Sequence, residues 1–169
     1  MLNFICLGIA AVLVALDQLV KFWAEHSSTQ VDAIALIPGV FHLTYVQNFG
    51  AAFNTMNNQR LLLVVLTSAV LLVIFVLLLL GKLRSPWMVV SWSLILAGGA
   101  GNLIDRLFRE GGYVVDLFDF RLINFPVFNV ADICVTVGMA LFLIYCCPDP
   151  VKFLKELRTA LQTTRKAAA

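Results

Sequence analysis

Between positions 61 and 80 the chain runs for 20 residues without a charge, "LLLVVLTSAVLLVIFVLLLL". As an α-helix this stretch is about 30 Å long, the thickness of the hydrocarbon core of a bilayer. A helix apolar on every face has no side to offer water, so the segment reads as a membrane span. Three more apolar segments accompany it: 2–24, interrupted by Asp17 and Lys21; 86–105, with "AGGAGN" near its end; and 129–147, whose one charge is Asp132. Of the 169 residues 61% are hydrophobic and 13% charged, which excludes an ordinary soluble domain. The expected architecture is one all-α integral-membrane domain over 1–169, a four-transmembrane-helix bundle.

Four spans put both termini on one side. The short loop "GKLRSP" and the tail 148–169 share that side, with Lys82, Arg84, Lys152, Lys155, Arg158, Arg165 and Lys166. The opposite side holds Arg60, Arg106, Arg109 and Arg121. The positive-inside rule therefore places both termini in the cytoplasm. The first segment lacks a basic n-region and carries charges inside its apolar run, so it reads as a permanent helix and not as a cleaved leader. The tail "VKFLKELRTALQTTRK" reads either as a basic amphipathic helix on the inner surface or as a solvated extension.

Two long outer loops, 25–60 and 106–128, are patterned. Residues 31–48, "VDAIALIPGVFHLTYVQN", give two β-type runs around a Pro-Gly turn, the signature of a hairpin. "GGYVVDLFDFRLINFPVF" in the second loop is again of extended character. Cys6, Cys134, Cys146 and Cys147 all lie in apolar runs without zinc-type spacing and read as buried reduced thiols. His26 and His42 read as loop residues too far apart for a metal site, so neither metal nor cofactor is expected. No basic patch alternates with aromatics, which argues against nucleic acid.

The polar residues gather at the outward ends of the third and fourth segments. "GNLIDR" places Asn102, Asp105 and Arg106 on one helical face, and "FNVAD" does the same for Asn129 and Asp132. Asp116 and Asp119 lie between them in "VVDLFDF". Each piece has a plain structural reading. Asn129 and Asp132 suit a helix start, Asp105 can pair with Arg106, Asp17 with Lys21 one turn on, and Asp119 can be a solvated loop carboxylate. The small residues of "AGGAG" suit close helix packing. Together, however, two carboxylates at one partly desolvated site share a proton, and such a pair can activate water for attack on a carbonyl. No serine or cysteine stands beside a histidine, so covalent peptidase chemistry has little support. Residue patterns alone leave open whether Asp116 or Asp119 partners Asp132.

Five motifs in order, "DQLVK", "NFGAAF", "GGAGNLIDR", "VVDLFDF" and "FPVFNVAD", make the chain resemble bacterial lipoprotein signal peptidase, signal peptidase II. The resemblance implies a membrane-embedded aspartic endopeptidase of the bacterial inner membrane. Such an enzyme cuts diacylglyceryl-modified prolipoproteins just before the lipidated cysteine, near the extracytoplasmic surface. It implies Asp116 and Asp132 as the catalytic dyad, Asn48, Asn102, Arg106 and Asn129 as substrate-site residues, and Asp17, Lys21 and Asp105 as structural support. It also implies a small extracytoplasmic β-cradle formed by the outer loops. The expected partners are the prolipoprotein substrates and membrane lipids, and the chain is read as a monomer. The rival readings are a proton-coupled small membrane transporter or channel, and a non-catalytic membrane subunit.

Overall fold

The computed structural model describes residues 1–27, 33–50 and 59–147. Its helices are α1 (Leu2–His26), α2 (Arg60–Leu79), α3 (Pro86–Phe108) and α4 (Val130–Cys146). Its strands are β1 (Ile34–Ile37), β2 (Phe41–Asn48) and β3 (Val114–Phe120). The first three helices are long and apolar enough to cross a membrane, while α4 has 17 residues, about 25 Å. Most apolar side chains of α2 point outward, among them Leu61, Leu72 and Val73. In water that surface would be a severe aggregation hazard; in lipid it is ordinary solvent contact.

α3 is the central helix and packs against α1, α2 and α4. Small residues make the closest of these approaches possible. A Cβ on Gly98 would strike the backbone oxygen of Ala131 and the side chain of Val135. One on Gly138 would lie 2.8 Å from the backbone oxygen of Ser91. Without a hydrophobic drive between helices in lipid, such backbone proximity supplies the packing energy. Gly98→Ala is therefore expected to lower the unfolding temperature in detergent, with overpacking costing about 1–3 kcal/mol. Gly8→Ala, in α1 with nothing within 4 Å, should leave that temperature unchanged or raise it. Equal losses from both would mean that helix contact plays no part.

Two apolar clusters hold the elements in place. Cys6, Leu71, Ile74, Leu78 and Val89 join α1, α2 and α3. Ala24, Val115 and Leu117, with Val20, Leu43 and Tyr45, seat the sheet on the end of α1. The sheet is antiparallel in the order β1-β2-β3, so the expected hairpin gains a third strand from the second loop. Gly39, at φ 73°, supplies the left-handed backbone of the hairpin turn, a conformation that costs a residue with a Cβ. Beyond β3 the chain folds back through a Phe118–Phe128 bridge, which delivers Asn129 beside the strand.

Several local expectations need correction. His26 is the last residue of α1 and His42 is a buried residue of β2, so neither is a loop histidine. Cys146 is exposed, at the apolar end of α4, while Cys6 and Cys134 are buried. Asp105 does not pair with Arg106: successive helix residues point about 100° apart, and Asp105 faces α1 instead. Arg106 lies in the last turn of α3 and not in the loop, because its guanidinium finds backbone oxygens at Asn102 and Gly50. The tail 148–169 and the residues Ala51, Ala52 and Phe53 of the first-loop motif lie outside the described residues.

Candidate active site

The site begins with the start of α4. Asn129 is the N-cap: its Oδ1 accepts from the Asp132 N–H at 2.9 Å, while Asp132 Oδ2 accepts from the Asn129 N–H at 3.1 Å. This reciprocal pair satisfies two first-turn donors, so the helix-start reading of "FNVAD" holds. It also has a second consequence. With its oxygen committed to the helix, Asn129 must turn its amide nitrogen away, and Nδ2 donates to Asp116 Oδ1 at 2.7 Å.

Two more amides are fixed by the same logic. Asn48 Oδ1 accepts from the Gly50 N–H at 2.9 Å, which aims Asn48 Nδ2 at Asp116 Oδ2, 3.0 Å away. Asn102 Oδ1 accepts from Lys21 Nζ at 2.9 Å, which aims Asn102 Nδ2 at Asp132 Oδ1, 2.8 Å away. Three amides from three segments are thus each locked through oxygen and present N–H groups to two acids. Every carboxylate oxygen of Asp116 and Asp132 accepts one such bond or the Asn129 N–H, leaving lone pairs for another ligand.

Beneath the amides lies an ionic cluster. Lys21, with 0% exposure, places Nζ 2.8 Å from Asp17 Oδ2, 2.9 Å from Asp105 Oδ2 and 2.9 Å from Asn102 Oδ1, using all three of its donors. Gln18 Nε2 donates to both carboxylates and to the Gly101 oxygen. The remaining oxygen of Asp17 accepts from the Ala131 N–H at 2.8 Å, so a carboxylate of α1 caps the first turn of α4. Asp105 Oδ2 in turn accepts from the Val115 N–H, one residue before Asp116. The three residues expected as support therefore hold the two stretches of chain that carry the acids.

Asp116 and Asp132 line one cavity of about 570 Å³, together with Asn48, Asn102 and Arg106, and its remaining wall is largely apolar. Asp116 is 3% exposed. Burial foremost, and then the negative charge of Asp132, push its carboxyl up to about 7, against the pull of the Asn48 and Asn129 hydrogen bonds. Asp119 is not in the cavity wall. Three residues along the strand, it faces the other way, 2.7 Å from Arg121 Nε and 2.9 Å from Thr44 Oγ1. Burial is the largest single influence and pushes its carboxyl up, but the hydrogen bonds from Arg121 and Thr44 and the Arg121 charge together hold it below the usual carboxylate range. Among the described residues no cluster of three His, Cys, Asp or Glu side chains is placed to hold a metal ion.

The family model described as signal peptidase (SPase) II matches residues 9–147. The chain belongs to the signal peptidase II family. It is therefore a peptidase, and the span matched covers most of α1, all of α2, α3 and α4, and the whole cavity wall. The lipoprotein signal peptidase of Streptococcus thermophilus (strain CNRZ 1066) is 44% identical over 132 residues, covering 78% of this chain and 85% of that one. The lipoprotein signal peptidase of Nostoc sp. (strain PCC 7120 / SAG 25.82 / UTEX 2576) is 40% identical over 134 residues, covering 79% and 84%. A solved bacterial membrane enzyme, determined by the in meso method at 2.3 Å resolution, superposes with a TM-score of 0.78 at 29% identity, covering 86% of this chain and 88% of that one.

Sequence patterns overlooked some of the residues that build this peptidase's site. Gln18 sits next to Asp17 with no periodic signal of its own. Arg109 pairs with Asp105 one turn earlier and with Glu25 at the end of α1, and its spacing from Asp105 was a usable sign. Arg60, at the start of α2, donates to the backbone oxygens of Arg106 and Leu107 and caps the end of α3.

Proposed function

We propose that this peptidase removes the signal peptide from diacylglyceryl-modified prolipoproteins, cutting just before the lipidated cysteine, with Asp116 and Asp132 as an aspartic dyad. The observation that carries the reading is Asn129, which links the two acids by binding Asp116 through its amide nitrogen and Asp132 through its amide oxygen and backbone N–H. The relatives named lipoprotein signal peptidase supply the substrate class.

The dyad carries one proton, resident on Asp116. Asp132 takes a proton from a water held between the acids, and the resulting hydroxide attacks the scissile carbonyl carbon. Asp116 donates its proton to the developing oxyanion, and Arg106, whose guanidinium keeps N–H groups beyond its bonds to Asn102 and Gly50 unused among the described residues, offers further stabilisation. Collapse of the tetrahedral intermediate returns the oxyanion proton to Asp116 and breaks the C–N bond. The amine leaves with the proton first taken by Asp132, and the dyad is restored.

All four helices serve as spans in this reading, with both termini cytoplasmic and the sheet forming a cradle over the site at the outer surface. The enzyme works as a monomer in the bacterial inner membrane, with lipid as its surroundings and no cofactor. The test is cleavage of a diacylglyceryl-modified precursor by the purified protein in mixed micelles, read by mass spectrometry of the released peptide. A protein that moves protons or solutes in proteoliposomes and releases no peptide would be the transporter of the rival reading.

The pH dependence follows from Asp116. The singly protonated dyad is the active form, so raising the pH through about 7 removes the needed proton and kcat/KM falls on that limb. Asn48→Ala deletes a hydrogen bond that favours the ionised form of Asp116, and the falling limb should move to higher pH. A limb that stays put would remove Asp116 from the titration. Asp119→Asn should keep most of the activity, since its half-exposed pair with Arg121 contributes about 0–1 kcal/mol.

A further inference from the structure

The cavity extends inward beyond the dyad, and two threonines break its apolar wall: Thr67 of α2 and Thr136 of α4. Neither hydroxyl meets a hydrogen-bond partner among the described residues. The usual resting bond of a helical threonine, to the carbonyl one turn earlier, is absent from both. In a membrane an idle hydroxyl is a cost that a ligand can remove.

Their depths match. Arg60, which opens α2, is hydrogen-bonded to the oxygens of Arg106 and Leu107, so the start of α2 lies level with the end of α3. Thr67 is seven residues further along α2, about 10 Å deeper. Asp132 is bonded to Asn102, one turn below Arg106, and Thr136 is one turn below Asp132, about 12 Å below Arg106 in all. Half-buried Thr67 and exposed Thr136 thus line the same cavity at similar depth, within about one helical turn beneath Asp132.

We propose that Thr67 and Thr136 form a carbonyl-binding subsite that holds the substrate's peptide backbone one to two residues ahead of the scissile bond. This inference rests on the peptidase reading above. A signal peptide crossing the membrane as a helix ends just short of the cut, and its last four carbonyl oxygens have no partner within the helix. Extended backbone advances about 3.3 Å per residue, so one to two residues separate the dyad from these hydroxyls. Hydroxyl donors at that depth fit those oxygens and read no side chain. They also fix where the helix stops, and so which bond meets the water.

The experiment is steady-state kinetics on a diacylglyceryl-modified precursor in mixed micelles, with substrate varied as a mole fraction. Thr67→Val and Thr136→Val keep the shape and delete the donor. Each should raise KM about fivefold at nearly constant kcat, and the double variant should lose more than either. Thr67→Ser and Thr136→Ser should restore KM, which a packing role would not predict. The same series on a precursor with ether-linked chains, lacking the two ester carbonyls, identifies the source. A KM penalty of the double variant that persists there assigns the bonds to peptide carbonyls, and one that vanishes assigns them to the lipid esters and overturns the proposal. An unchanged KM in the double variant also overturns it. Failure of the parent protein to cut any precursor sinks instead the peptidase assignment on which the subsite rests.

Discussion

Asp132→Asn and Asp116→Asn are each expected to abolish cleavage while leaving a folded protein that still binds its substrate. Neither amide can take a proton from water, and loss of general acid–base catalysis alone is worth roughly 10²–10⁴-fold. The two variants differ in their effect on stability, and this separates chemistry from misfolding. Asp116 is raised to about 7, so between its unfolded value near 4 and 7 the folded state binds the proton more tightly. Its contribution to stability therefore falls as pH rises through that window, and above it a buried charge is carried at a cost. Asp116→Asn removes that charge, though one of its two amide contacts becomes donor facing donor. It should unfold no earlier than the parent at pH 8. Asp132→Asn turns its contact with Asn102 or with the Asn129 N–H donor to donor, and should lose a little stability at the start of α4. Residual cleavage by either variant near the parent rate would remove that acid from the dyad. Measurement of bound lipidated peptide alongside turnover completes the test.

Lys21→Met is expected to give the largest loss of stability of any single change in the membrane-embedded part. The ammonium is fully buried and answers Asp17, Asp105 and Asn102 at once. Methionine fills much of the space, leaves the buried carboxylate of Asp17 without its cation and leaves Asp105 with Arg109 alone. Breaking a buried pair in this way costs about 3–5 kcal/mol. Arginine is no substitute, because its planar fork cannot place three donors on three converging oxygens. Adding Asp17→Asn and Asp105→Asn to Lys21→Met should recover part of the unfolding temperature, since the uncompensated charge is gone. Cleavage should not recover fully with it: without Lys21 the oxygen of Asn102 keeps only the longer bond from Asn129 Nδ2, at 3.2 Å, and its N–H is held less firmly on Asp132. If Lys21→Met unfolds with the parent, the ionic cluster does not hold the site together.

These two predictions also show why the structural and functional readings of the polar residues do not compete. The capping box at Asn129 is a helix start, and because its oxygen is spent there its nitrogen turns to Asp116, its shortest contact at 2.7 Å, with longer ones to Asn102 Oδ1 and the Val115 oxygen. The Lys21 cluster is an ion-pair network, and it orients Asn102 through the third donor of the same ammonium. A cap or a salt bridge in lipid is costly unless fully answered, so the groups that answer it are fixed in direction. Fixed direction is what a pair of acids needs from its neighbours.

Local chemistry is enough to place the elements: the uncharged run of α2, the Pro-Gly turn between β1 and β2, the Asn129 cap, and the small residues that let α3 meet α4. These are local properties, written in periodicity, turn chemistry and the cost of placing a side chain in lipid. Tertiary structure alone decided the partners. It turned Asp116 into the cavity and Asp119 out to Arg121, gave Asp105 to Lys21 rather than to Arg106, and added β3 to the hairpin. The decisive bonds join residues 68 apart at Asn48 and Asp116, 81 apart at Lys21 and Asn102, and 114 apart at Asp17 and Ala131. No local pattern specifies such pairings, because they depend on how deeply helices α1, α3 and α4 sit against one another, and that depth is set by packing.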